Sequence, residues 1–143
     1  MSWTTPQQQL NDTAPVELQE RLLAAVRALD DVEVGPSHIS ISGARAFLSS
    51  RPTPDASAFL VPGAREFAHL HPVHDGSLHL ALPADLATEV VVHGWGQMHP
   101  LAGTRLTPGF VMVYGPRDDD ELEVVLAIIA ASHRRAVLDV APA

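Results

Sequence analysis

The chain of 143 residues carries 17 acidic and 9 basic side chains, a formal charge of −8 and 46% hydrophobic residues, which suits one domain with a core of ordinary size. It has no cysteine, which excludes disulfides, thiolate nucleophiles and thiolate-held metals and fits a reducing cytosol. Acidity without a basic stripe argues against nucleic acid as a partner.

The first fourteen residues read as a flexible terminus, and residues 15–140 as a single α+β domain. The opening segment lacks the basic and apolar regions of a secretory signal. The longest apolar run, Val124 to Ala131, falls short of the ~20 residues that cross a bilayer. A cytoplasmic protein with no membrane partner is therefore expected.

From Pro15, the spacing of Leu18, Leu22, Ala25, Val26 and Leu29 predicts a helix that Gly35-Pro36 ends. Short strands are expected next, in SHISIS (37–42), RAFLSS (45–50) and AFLVPG (58–63). EFAHLHPVHDGSLHL (66–80) then concentrates four of the eight histidines beside an Asp-Gly turn signal.

This stretch reads as a β-hairpin. If Pro72 to Gly76 form the loop, Leu70 faces Leu78, His71 faces Ser77 and His69 faces His79. Ala68, Leu70, Leu78 and Leu80 then form the core face, and Phe67, His69, His71 and His79 the other. A slip of one residue would scatter the histidines.

A helix follows from Ala84 to about His93, with Gly94 as its stop. GWGQMHP (94–100) reads as a tight or mobile loop, and GFVMVYG (109–115) as a buried strand. The last helix starts with Asp118 and Glu121 at capping-box spacing and ends near Arg134 and Arg135, both favourable to its dipole. Its apolar surface, Leu122, Val124, Val125, Leu126, Ile128, Ile129 and Ala131, is broad. Burial between two layers is the preferred reading of it, and a homodimer contact the other.

The histidines admit three readings. His69, His71 and His79 satisfy the geometry of a three-nitrogen site for a divalent metal, zinc or iron, with His74, Asp75, Glu66 or His99 as a fourth ligand. Without metal, the same rings are acid, base and binding groups near neutral pH. The third reading is a set of half-exposed hairpin residues bonded to backbone or water. Trp95, on its glycine-flanked loop, is the best candidate to line a pocket for a planar small molecule, with Phe67, Tyr114 and Asp75 as further contacts, although ordinary packing is the preferred reading of Phe67 and Tyr114. Arg117 could hold a ligand's carboxylate or phenolate, although pairing with Asp118 to Asp120 is its commoner fate. No GxSxG, P-loop or GxGxxG pattern occurs.

At REFAHLHPVHDGSLHLALP, GWGQMHPLAG and PGFVMVYGPRDDDELEVVL, across about Arg65 to Ala136, the sequence resembles the luciferase-domain family. The resemblance carries over His69 and His71, Asp75-Gly76-Ser77, His79, Gly94-Trp95-Gly96 and His99-Pro100. Val73-His74 departs from the pattern, so His74 is not carried over. Light emission is not implied.

What the resemblance implies is oxidation of a phenolic or enolic substrate by molecular oxygen, with no metal or organic cofactor. His69 or His79 would deprotonate the substrate, His71 and His99 orient it, and Trp95 cover it. The alternatives are a His-ligated metal enzyme with cupin-like use of HxH, and a small-ligand-binding module without turnover. The expected architecture is an antiparallel sheet packed on the N- and C-terminal helices, with its histidine face opening into a pocket.

Overall fold

The computed structural model describes residue 9 and residues 13–40, 42–51 and 56–137. Helix α1, Val16–Arg27, turns Leu18, Leu22, Leu23 and Val26 into the core and is entered through Pro15, whose fixed φ suits a helix start. It ends well before Gly35-Pro36, the expected stop. Asp31 turns the chain in the left-handed region at φ 61°, and Val32–Pro36 form strand β1. Two β-branched residues with a pairing partner outweigh the helical spacing there.

Strand β2 is Arg45–Ser49, as expected, but SHISIS is not a strand. The Ser37 hydroxyl accepts from the Ile39 and Ser40 amides, a local turn that competes with strand pairing; Ile41 lies outside the described residues. AFLVPG also departs from expectation. Ala56–Ala58 and Pro62–Ala64 are 3₁₀ turns, separated by one bridge at Val61, because Pro62 has no N–H to give a ladder.

Strands β3, Glu66–Leu70, and β4, Leu78–Ala81, form the hairpin in the expected register: Ala68 faces Leu80, His69 faces His79 and Leu70 faces Leu78. The His71 amide donates to the Ser77 carbonyl at 2.8 Å and closes the loop, with Gly76 at φ 74°. Helix α2, Ala84–Val92, follows, and then strand β5, Gly96–Met98, where a loop was expected. A Cβ on Gly96 would sit 2.0 Å from the Met112 carbonyl oxygen, so this glycine serves close strand approach rather than mobility. Strand β6 is Phe110–Val113, and helix α3 is Asp119–Val137. Asp118 caps α3 by accepting from the Glu121 amide at 2.8 Å.

All pairings in the six-stranded sheet are antiparallel, in the order β1-β2-β3-β4-β6-β5, so the molecule is α+β. The main core joins α1 and α3 to Phe47, Leu70, Leu78, Leu80, Val111 and Val113. Most of the broad apolar surface of α3 is used inside the chain. Leu122, Val125, Ile128 and Ile129 are buried there, and Val124, Leu126 and Ala131 are half-buried against the same core. Among the described residues no helix is long and apolar enough to cross a membrane.

The histidine side chains lie on the sheet face away from the main core. A second apolar cluster of Leu60, Ala81 and Phe110, with Val61, Ala102 and Leu106 packed on it, roofs that face. The roof returns to the sheet at Gly109, whose carbonyl accepts from the Leu82 amide at 3.0 Å. A Cβ there would stand 1.6 Å from the Leu82 oxygen, so only glycine permits the approach.

Candidate active site

The register of the hairpin brings His69, His71 and His79 together on the sheet face away from the main core. His69 and His79 are directly opposed, and His71 follows two residues along the same face. β5 supplies the fourth ring by continuing its ladder with β6, where the His99 amide donates to the Phe110 carbonyl at 3.0 Å. Ring centroids of His69, His71 and His99 lie 5.1, 4.6 and 5.3 Å from that of His79. The four histidines are only 1–7% exposed, with Phe110 of the second apolar cluster against the rings of His79 and His99.

An irregularity between β2 and β3 completes the site. Phe47 pairs with Ala68, but Leu48 pairs with Glu66, leaving Phe67 as the extra residue of a bulge. Phe67 therefore leaves the histidine face, where alternation had placed it, and packs in the main core against Phe47 and His133. Glu66 takes the vacated direction. Its fully buried carboxylate accepts from His69 Nδ1 at 2.9 Å, the Ser37 hydroxyl at 2.7 Å and the His38 amide at 2.8 Å.

These partners fix the tautomers. A carboxylate only accepts, so the His69 proton sits on Nδ1 and its Nε2 presents a lone pair. Ser77 donates its hydroxyl to Asp75 and accepts from His71 Nδ1 at 2.8 Å, so Nε2 of His71 is also a lone pair. Asp75 further accepts from the Ser77 amide at 3.0 Å and the Gln9 amide at 3.2 Å. Gln9, in a stretch read as a flexible terminus, is thus a buried part of the site's support. Both Nε2 lone pairs face Nδ1 of His79, at 3.1 Å from His69 and 3.0 Å from His71. His99 differs: its Nδ1 accepts from the Leu101 amide at 3.1 Å, which leaves its proton on Nε2.

The electrostatics follow from burial. Desolvation lowers the pKa of His69, although Glu66 partly opposes it, and holds His79 well below the ordinary imidazole value, helped by repulsion from His69, His71 and His99. Burial also lowers His99, with His69 adding to it. For Glu66 and Asp75 burial acts upward but is outweighed. The hydrogen bonds from His69, His38 and Ser37 hold the Glu66 carboxyl below its usual value, and those from His71 and Ser77 do the same for Asp75. Burial thus favours the neutral form of His69, His79 and His99 beside two carboxylates.

The remaining candidates lie elsewhere. Trp95 packs against the helix-side core instead of covering the histidines, because the chain enters β5 directly from α2. Tyr114 is half-buried, its amide bonded to the Trp95 carbonyl. Arg117 pairs with Glu121 at 2.7 Å, beside a groove of about 560 Å³ lined by Pro15, Leu18, Arg21 and Asp118. Glu66, offered from the sequence only as a fourth metal ligand, was missed as the partner of His69. The one signal for it was a carboxylate heading an otherwise apolar strand.

Residues 64–132 match the Luciferase domain family. The chain is 53% identical over 72 residues to proteins named Luciferase from Armillaria ostoyae and Armillaria mellea, and 49% identical over 72 residues to that of Neonothopanus nambi. Each match covers 48% of this chain and 27% of the relative, so the chain spans about a quarter of the length of these curated relatives. No solved structure gives a significant match. The matched stretch contains the hairpin, all four clustered histidines, Glu66 and Asp75, so the segment that holds the site is the one similar to the Luciferase domain family.

Proposed function

We propose that this chain oxidises a small phenolic or enolic molecule with molecular oxygen, and that the substrate's hydroxyl is activated at His69, His71 and His79. The observation that carries the reading is the convergence of three buried imidazole nitrogens on one point, inside the segment similar to proteins named Luciferase. A neutral imidazole backed by a buried carboxylate, as His69 is by Glu66, is suited to draw the proton from a phenol or enol, because the carboxylate favours the imidazolium that forms. The anion that remains has raised electron density and reacts more readily with oxygen. The proton on His99 Nε2 gives a donor for that anion, and the burial of the cluster keeps water from competing.

The test is oxygen uptake by the purified protein with a panel of phenols, enols and hydroxypyrones, with products identified by mass. Uptake that falls by roughly 100-fold or more in His79→Ala, with the fold retained, is the expected result. No uptake with any compound, and every bound ligand returned unchanged, would make the chain a binding module instead.

A further inference from the structure

The contact of His79 with its two neighbours is one that protons alone do not satisfy. Nε2 of His69 and Nε2 of His71 both present lone pairs to Nδ1 of His79, at 3.1 and 3.0 Å. Nδ1 carries at most one proton, so it can donate well to only one of them. The other contact then sets lone pair against lone pair in a buried site, an arrangement protein interiors avoid.

A cation resolves the conflict. A tetrahedral ion with metal–nitrogen bonds near 2.0–2.1 Å holds its ligand nitrogens about 3.3 Å apart, close to the two separations found here. All three nitrogens lie within 4.8 Å of one another. The outer nitrogens of two of the rings are anchored as metal-bound histidines usually are. His69 is held by Glu66 directly, and His71 by Ser77 backed by Asp75, whose Oδ2 is also 3.4 Å from His71 Nδ1. His99 does not complete the set, because its Nδ1 is taken by the Leu101 amide. A three-nitrogen set with a fourth position open is the pattern of a catalytic site rather than a closed structural one.

We infer that His69 Nε2, His71 Nε2 and His79 Nδ1 bind one divalent first-row transition metal, zinc or iron, with Glu66 and Asp75 as the carboxylates that orient the first two rings. Three neutral imidazoles suit either ion. With the ion bound these three nitrogens would be ligands and not bases, and its open position would take the substrate's anionic oxygen in their place, so for its use, though not for its binding, the inference rests on the function proposed above.

The test uses the full chain with ¹⁵N-labelled histidine, washed free of metal by chelator and titrated with Zn(II) and, in parallel, with Co(II) as a spectroscopic probe. Saturation at one ion per chain, with a dissociation constant below about 1 µM, is expected. So are shifts of the nitrogen signals at His69 Nε2, His71 Nε2 and His79 Nδ1, together with the visible bands of tetrahedral Co(II). His71→Ala should abolish binding, Glu66→Gln should weaken it by roughly 10- to 100-fold, and His93→Ala, at an exposed position, should leave it unchanged. The wild-type nitrogen shifts decide the matter even if a cluster variant fails to fold. No saturable binding, or binding that shifts other histidines, would overturn the inference. Oxygen uptake is measured separately: metal binding without uptake leaves this site standing and removes the proposed function, and undiminished uptake by the stripped protein does the reverse for the metal's role.

Discussion

At the scale of single residues, the site depends on which proton sits on which nitrogen, and Ser77 shows how little it takes to change that. Its hydroxyl stands between Asp75 and His71, accepting from one and donating to the other. Ser77→Ala would leave the buried Nδ1–H of His71 with only the longer 3.4 Å approach to Asp75. A loss of about 1–3 kcal/mol in unfolding free energy is expected, measurable by urea denaturation, together with a fall in whatever oxygen uptake the site supports. Unchanged stability would mean that His71 is not fixed through this hydroxyl. The Asp75–Ser77 turn was legible in the sequence, because Asp-Gly-Ser after an apolar strand is a local signal. The partnership of Glu66 with His69 was not, since strict alternation puts residues three apart on opposite faces.

At the scale of elements, the bulge in β3 and the roof over the histidines make a buried site out of what would be an ordinary hairpin face. Both depend on backbone approaches between distant segments. Gly109 is where the roof meets β4, and with no space for a Cβ, Gly109→Ala should force the roof away from the sheet. The expected result is destabilisation of at least about 2 kcal/mol, seen in thermal unfolding, with greater solvent access to His99 seen by hydrogen exchange or chemical modification. Normal stability would show that the roof can shift at little cost. β1 and β5 escaped the sequence reading for a related reason. Each is a short edge strand whose pairing residues lie on a neighbour, 45–49 for β1 and 111–113 for β5, and no local period of that length stands out against its flanks.

For the whole molecule, the groups with displaced pKa values all act in one direction. His69, His79 and His99 are lowered by burial, so the unfolded chain takes up protons that the folded chain refuses. Their contribution to stability is fully present above the unfolded imidazole value of about 6.5 and is lost as pH falls below it. Glu66 and Asp75, also lowered, hold their contribution until pH drops through the ordinary carboxylate range and lose it below. The metal-free protein should therefore keep a constant unfolding midpoint from about pH 7 to 8 and lose stability steadily below about 6.5. His79→Gln should flatten the first part of that decline in chemical denaturation followed across pH. A flat profile down to pH 5 in the wild type would show that the rings are not buried as neutral imidazoles.

The sequence by itself determined the two long helices at the ends, the hairpin with its register, and the placing of His69, His71 and His79 on one face. Each of these is set by periodicity, a turn signal or a cap acting over a few residues. Only the tertiary structure decided that Phe67 gives way to Glu66, that Trp95 belongs to the helix-side core, that His99 joins the cluster and that the cluster is roofed. Those outcomes depend on which strands become neighbours and how closely their backbones approach, and contacts between segments tens of residues apart leave no local pattern in the chain.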